Sequence, residues 1–234
     1  MKEKIRIIVL LVIIFLFQSL IFSVKLNEIR DLNYLDKEKL LIEVQKMEDK
    51  LKSNSNDYDT ISKLGVAYNI LKGKFKQKVS GKNEEYLERS LNIKQDPIIL
   101  AYYGLSQMQK AKDSFNPFVK LESAKKGLKI IDSAVDKAPD NFFIRVIRIK
   151  MSIKKKMFGR YPLAKDDIEY CESLYKDGRL TDEENAELLY YKAQYFEKMK
   201  EKDKAKKIYQ NILNKNSNHR QEFLSIVKKS LEDL

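Results

Sequence analysis

Three helix-boundary residues recur at one interval: 42 residues separate Pro97 from Pro139, and 42 separate Pro139 from Thr181. An interval of that length, filled with helical spacing, means repeated helical units, each burying an apolar face against the next. Residues 124–141, AKKGLKIIDSAVDKAPDN, show the pattern inside one unit. Gly127, Ile131, Ala134 and Val135 fall at i, i+4, i+7 and i+8 on one face, with lysines and aspartates opposite. Small side chains at Gly127 and Ala134 let a neighbouring helix come close. Pro139 then ends the helix, because its ring removes a backbone donor and clashes with the turn before it.

The N-terminal stretch has a different character. Residues 1–24 put Lys2, Lys4 and Arg6 ahead of an uncharged run of 17 residues, 7–23. That is the short end of a membrane-crossing helix and longer than most signal-peptide cores. A cut after Ser23 or Ser19 would place Ile21 or Phe17 where a small residue is wanted. The reading is an uncleaved, single-pass anchor in the cytoplasmic membrane, with a cleaved and exported form as the alternative. Cationic flanks stay in the cytoplasm, so the rest of the chain is expected on the extracytoplasmic (periplasmic) side.

Residues 25–56 form a charged connector and a leading amphipathic helix, with Leu40, Val44, Met47 and Leu51 on one face. That helix is either a leading cap for the repeats or half of a coiled coil. Four hairpins are expected over residues 57–217, the first opened by Asp57 or Asp59. Its first helix carries Ile61, Leu64, Gly65 and Tyr68, and its return helix, 86–94, carries Leu87, Ser90 and Leu91. A lysine-rich loop, 72–82, lies between them. The second hairpin runs from a helix at 98–112, with Leu100, Ala101, Gly104, Leu105 and Met108 inward, through a turn at Asn116-Pro117 to the stretch ending at Pro139. The third uses Phe142, Val146, Ile149 and Ile153, breaks at 158–160, and returns through Ala164, Ile168, Cys171 and Leu174 to Gly178. Thr181 with Glu184 has the spacing of a capping box that opens the fourth. Residues 218–234 supply a closing helix whose inward side carries Phe223, Ile226 or Val227, and Leu231.

Leu64-Gly65-x-x-Tyr68 and the set Ala193, Phe196, Ala205, Tyr209 and Ile212 stand at repeat-signature positions, and residues 186–219 have the length of one 34-residue unit. On these residues the chain resembles the tetratricopeptide-repeat (TPR) family over residues 58–217. It departs from the family in the longer first three units, and in Val146 and Ile149, where small residues are typical. The resemblance implies an all-α fold of stacked hairpins in a right-handed superhelix. Its concave face, made by the first helices, receives an extended or helical peptide of a protein partner. Carried onto this sequence, the exposed groove positions are Ser62, Asn69, Tyr102, Arg145, Arg148, Tyr190, Gln194 and Glu197. The packing positions are Leu64, Gly65, Tyr68, Gly127, Ile131, Ala134, Pro139, Ala164, Ile168, Cys171, Ala193, Phe196, Ala205 and Tyr209. The clamp of lysines and asparagines with which some TPR proteins hold a terminal carboxylate is not reproduced, so chaperone-tail binding is not expected. The same apolar periods also build a helical bundle.

The chemistry of the remaining residues points away from catalysis. One cysteine excludes an intramolecular disulfide, and Cys171 with the single His219 falls short of a zinc site. No phosphate loop, dinucleotide fingerprint or H-E-x-x-H is present. The carboxylate pairs Asp166/Asp167 and Glu183/Glu184 are adjacent in sequence, so they do not share a helix face and read as surface charge. The formal net charge is +12, carried by 38 Lys and 8 Arg among 34 acidic residues. The scatter reads as a solvated surface. Charge-driven binding to an anionic surface or nucleic acid through the turns at 72–82 and 154–160 is the alternative. Lysine without interleaved arginine and aromatics argues against nucleic acid. The expectation is a non-catalytic protein–protein interaction scaffold supporting an envelope complex, with no cofactor, no metal and no small-molecule substrate.

Overall fold

The computed structural model describes residues 28–154, 158–215 and 220–234, which form helices joined by short connections. Backbone packing divides the chain into two units, one ending at Lys94 and the other running Gln95–Leu234. The division falls inside the expected block of hairpins, after the first. Among the described residues no helix is long and apolar enough to cross a membrane. The expected anchor, residues 1–24, lies outside them.

The first unit contains helical residues 28–34 (α1), α2 (Lys37–Ser53), α3 (Tyr58–Gly73) and α4 (Lys82–Ile93). The leading helix α2 packs on α3, burying Leu40, Val44 and Leu51. Of the two candidate caps for α3 it is Asp57 that serves, accepting the Asp59 and Thr60 amides and the Thr60 hydroxyl. Helices α3 and α4 touch at Gly65, where a methyl group would fall 2.8 Å from Leu87 Cγ. Tyr68 stacks flat on Tyr86 at 5.9 Å and donates its hydroxyl to Glu48 on α2 at 2.5 Å. Lys82 closes the group, donating to Glu48 at 2.7 Å and to Tyr68 at 3.1 Å. The return helix begins at Lys82 rather than at 86, because Gly81, with φ +83°, turns the chain into it.

The second unit contains α5 (Pro97–Asp113), α6 (Pro117–Lys137), α7 (Phe142–Lys154), α8 (Tyr161–Lys176), α9 (Asp182–Lys198), α10 (Lys202–Asn214) and α11 (Gln221–Glu232). Short polar side chains set the starts of four of these helices. Asp96 accepts the Ile98 amide at 2.9 Å, Asn116 that of Phe118 at 2.9 Å, and Asn141 that of Ile144 at 3.1 Å. Helix α6 therefore starts at Pro117, ahead of the expected stretch at 124. Thr181 and Glu184 form both halves of the capping box, at 3.2 and 2.9 Å. Helix α8 ends at Gly178, φ +70°, where the Arg179 amide reaches back to the Leu174 carbonyl at 2.9 Å.

Helices α5 and α6, α7 and α8, and α9 and α10 pair as hairpins. Each return helix also meets the next first helix, α6 on α7 and α8 on α9, and the first helices meet one another, α5 on α7 and α7 on α9. Helix α11 closes against α10. The α7–α8 core joins Phe142, Val146, Ile149 and Ile153 to Ala164, Ile168 and Cys171. That explains the large side chains at Val146 and Ile149: the small partners, Ala164 and Cys171, stand on the return helix instead. Burial pushes the Cys171 thiol up to about 12. The last core joins Ala186 and Ala193 to Ala205, Tyr209, Ile212, Phe223 and Val227. Val227 rather than Ile226 points inward, and Ile226 stays 48% exposed.

Candidate functional site

The eight residues expected on an open groove are drawn into internal contacts. Ser62, Asn69, Tyr102, Arg145 and Arg148 are buried, which corrects their expected exposure. The Ser62 hydroxyl meets Ser90 at 2.6 Å on the return helix, and the Tyr102 ring lies 5.9 Å from Phe143. Tyr190, Gln194 and Glu197 are half-buried. The Tyr190 ring packs against Tyr209 and Phe223, Gln194 donates to its hydroxyl at 2.8 Å, and Glu197 accepts from Tyr209. The physical reason lies mostly inside each hairpin: Ser62 meets its own return helix, Arg145 and Arg148 meet Asp167 on α8, and Glu197 meets Tyr209 on α10, while Tyr102 meets the neighbouring first helix at Phe143. Of the packing positions, Phe196 is half-buried and Pro139 exposed, and the other twelve are buried.

Arg145 and Arg148 meet at Asp167, whose side chain is 1% exposed. Arg145 donates to one carboxylate oxygen at 2.5 Å, and Arg148 clasps both at 2.7 Å. Arg145 also donates to the Pro139 carbonyl and stacks 3.8 Å over the Tyr170 ring. Arg160 forks onto Asp132 of α6. Asp140 accepts from Arg179 at 2.8 Å and from Tyr170, and these bonds hold its carboxyl below the usual range. Arg148 on Asp167 and Arg160 on Asp132 are planar, two-pronged pairs; the Asp167 cluster between α7 and α8 is nearly dry, whereas Asp140 and Arg179 are half exposed and screened by water. The reading of Asp166/Asp167 as surface charge holds for Asp166, which is exposed, and fails for Asp167. The signal was present in the spacing: Asp167 is three residues after Ala164 and four before Cys171, on the buried face.

The lysine-rich turns are partly spent on the chain itself. Lys74 donates to the Asn33 and Leu35 carbonyls at 2.9 and 3.2 Å, Lys76 to Gly73, and Lys82 to Glu48. Within 154–160, residues 155–157 lie outside the described residues, and Arg160 is committed to Asp132. His219 also lies outside them. Among the described residues no group of three or more His, Cys, Asp or Glu is placed to hold a metal ion.

One open cleft and three exposed apolar side chains lie on the α5–α6 hairpin. An open cleft of about 490 Å³ is lined by Leu100, Glu122, Lys125, Lys126, Lys129, Ile130 and Ser133. Its lining combines Leu100 and Ile130 with three lysines and one carboxylate, Glu122, a net positive and partly apolar surface that suits a segment carrying both apolar and acidic side chains. At the turn of the same hairpin, Phe115 and Phe118 stand in solvent. No protein-family model, curated protein or solved structure matches the chain.

Proposed function

We propose that this chain is a non-catalytic scaffold that binds another protein through a TPR-like array of stacked hairpins. One observation carries the reading: α5–α6, α7–α8 and α9–α10 repeat the same pairing, with first helix on first helix and return helix on the next first helix. Such arrays work by presenting extended surface, because each unit contacts only its neighbours and leaves its edges open. With Arg145 and Arg148 sealed against Asp167, partner contact falls to the cleft along α6, where Lys125, Lys126 and Lys129 recognise an acidic segment. The N-terminal apolar run tethers the array to the cytoplasmic membrane, with the hairpins on the extracytoplasmic side, in support of an envelope complex.

The test is capture by tagged full-length protein from its own membranes. Lys125→Glu, Lys126→Glu and Lys129→Glu together, with the helical circular dichroism unchanged, abolish recovery of the co-purifying partner. Undiminished recovery from the folded triple variant sinks the cleft assignment.

A further inference from the structure

Folded chains of this size bury most of their aromatic side chains, so two largely exposed phenylalanines on one turn mark a contact surface. Phe115 is 101% exposed and Phe118 is 81% exposed, with Val119 beside them at 44%. The turn has a fixed shape: Asn116 accepts the Phe118 and Val119 amides, and its own amide donates to the Ser114 hydroxyl at 3.2 Å. Lys110, Lys112 and Lys120 flank it, all exposed, with one exposed acid, Asp113, beside them. Residues 110–129 hold six lysines against two acids.

We propose that the α5–α6 turn docks into an anionic lipid surface, Phe115, Phe118 and Val119 entering the interface while Lys110, Lys112 and Lys120 meet the headgroup phosphates. A turn that projects its aromatics into solvent enters a soft interface more readily than it receives a peptide. Phenylalanine ringed by lysine is also the combination that binds anionic bilayers at the headgroup boundary. This inference rests on the proposed membrane tether only in needing a bilayer within reach. It gives the lysine excess a place other than the turns at 72–82 and 154–160.

The chain contains no tryptophan, so Phe118→Trp in the full-length protein is a single optical reporter of the turn. Phe115→Trp is the second reporter. Each is reconstituted into vesicles of phosphatidylcholine alone or mixed with phosphatidylglycerol, with and without brominated acyl chains. The expected result is blue-shifted emission quenched by brominated lipid in the mixed vesicles, and reduced when Lys110→Gln, Lys112→Gln and Lys120→Gln are added. Water-like emission in mixed vesicles overturns the proposal. So does a blue shift that appears only when a second protein is supplied, or equal quenching in neutral and anionic vesicles. Carbonate extraction of the same samples reads the tether by itself. Retained chain whose indole emits as in water loses the turn alone, and released chain whose indole is quenched loses the tether alone.

Discussion

Gly104 and Gly127 meet backbone to backbone across the α5–α6 hairpin. A methyl group on Gly127 would fall 2.5 Å from the Gly104 carbonyl oxygen, and one on Gly104 would fall 2.8 Å from the Gly127 carbonyl oxygen. A flexible side chain yields to such an intrusion, but two carbonyls fixed in helices do not. Gly127→Ala is therefore expected to destabilise the second unit by about 3 kcal/mol, the upper part of the usual cost of overpacking. Urea unfolding followed by circular dichroism checks it, and a midpoint equal to wild type would show that the helices can slide apart.

Asp167 is expected to be the costliest single charge to remove. Asp167→Asn leaves Arg145 and Arg148 buried against a neutral amide, and breaking one side of a buried pair costs about 3–5 kcal/mol. By contrast, Arg179→Ala breaks a pair whose side chains are 50% and 49% exposed and screened by water, and costs far less. Thermal unfolding of the two variants side by side gives the ranking, and similar losses in both would contradict the buried-network reading.

Lys200 carries a strained backbone. Its φ is +65°, and it ends α9 with the Glu201 amide bonded back to the Phe196 carbonyl at 2.9 Å. A side chain in the left-handed region costs about 1–2 kcal/mol, and glycine removes that cost while losing part of the gain to a freer unfolded chain. Lys200→Gly is expected to stabilise the protein by roughly 1 kcal/mol. A lower unfolding midpoint would mean that the lysine side chain contributes more than the strain removes.

The cap at Asp57 makes stability depend on pH in the acid range. The Lys50 ammonium, at 2.6 Å, and the Thr60 hydroxyl and amide hold its carboxyl at about 2 in the folded chain, against 3.8 ordinarily. A carboxyl depressed by folding stabilises above its unfolded value, and that contribution fades as the pH falls from about 4 towards 2. Asp57→Ala is expected to cost about 1 kcal/mol at neutral pH, as capping residues do, and less near pH 2. Urea titrations across that range test it; a penalty that grows on acidification has the wrong sign.

Helix starts and stops were the legible part of this fold. Thr181 with Glu184 and the glycine at 178 act within a few residues, so local sequence is enough to place them. The start of α6 was misplaced because the apolar period becomes visible only from Ala124, while the cap at Asn116 acts earlier. The groove residues were illegible for a different reason. Whether Arg145 faces solvent or Asp167 depends on how α7 and α8 turn against each other, and residues 22 apart carry no mark of their pairing beyond a buried-face aspartate. Phe115 and Phe118 flank the Asn-Pro turn in plain view, yet only burial distinguishes an exposed aromatic from a core one.

The most direct test of the scaffold reading is site-specific photo-crosslinking in cells, with the reactive group placed at Ile130 in the α6 cleft of the full-length chain. The expected result is one recurrent envelope protein attached there, with a yield that falls when Lys125, Lys126 and Lys129 are reversed in charge. Attachment to lipid alone, or to no recurrent protein, would contradict a protein-binding function for the array.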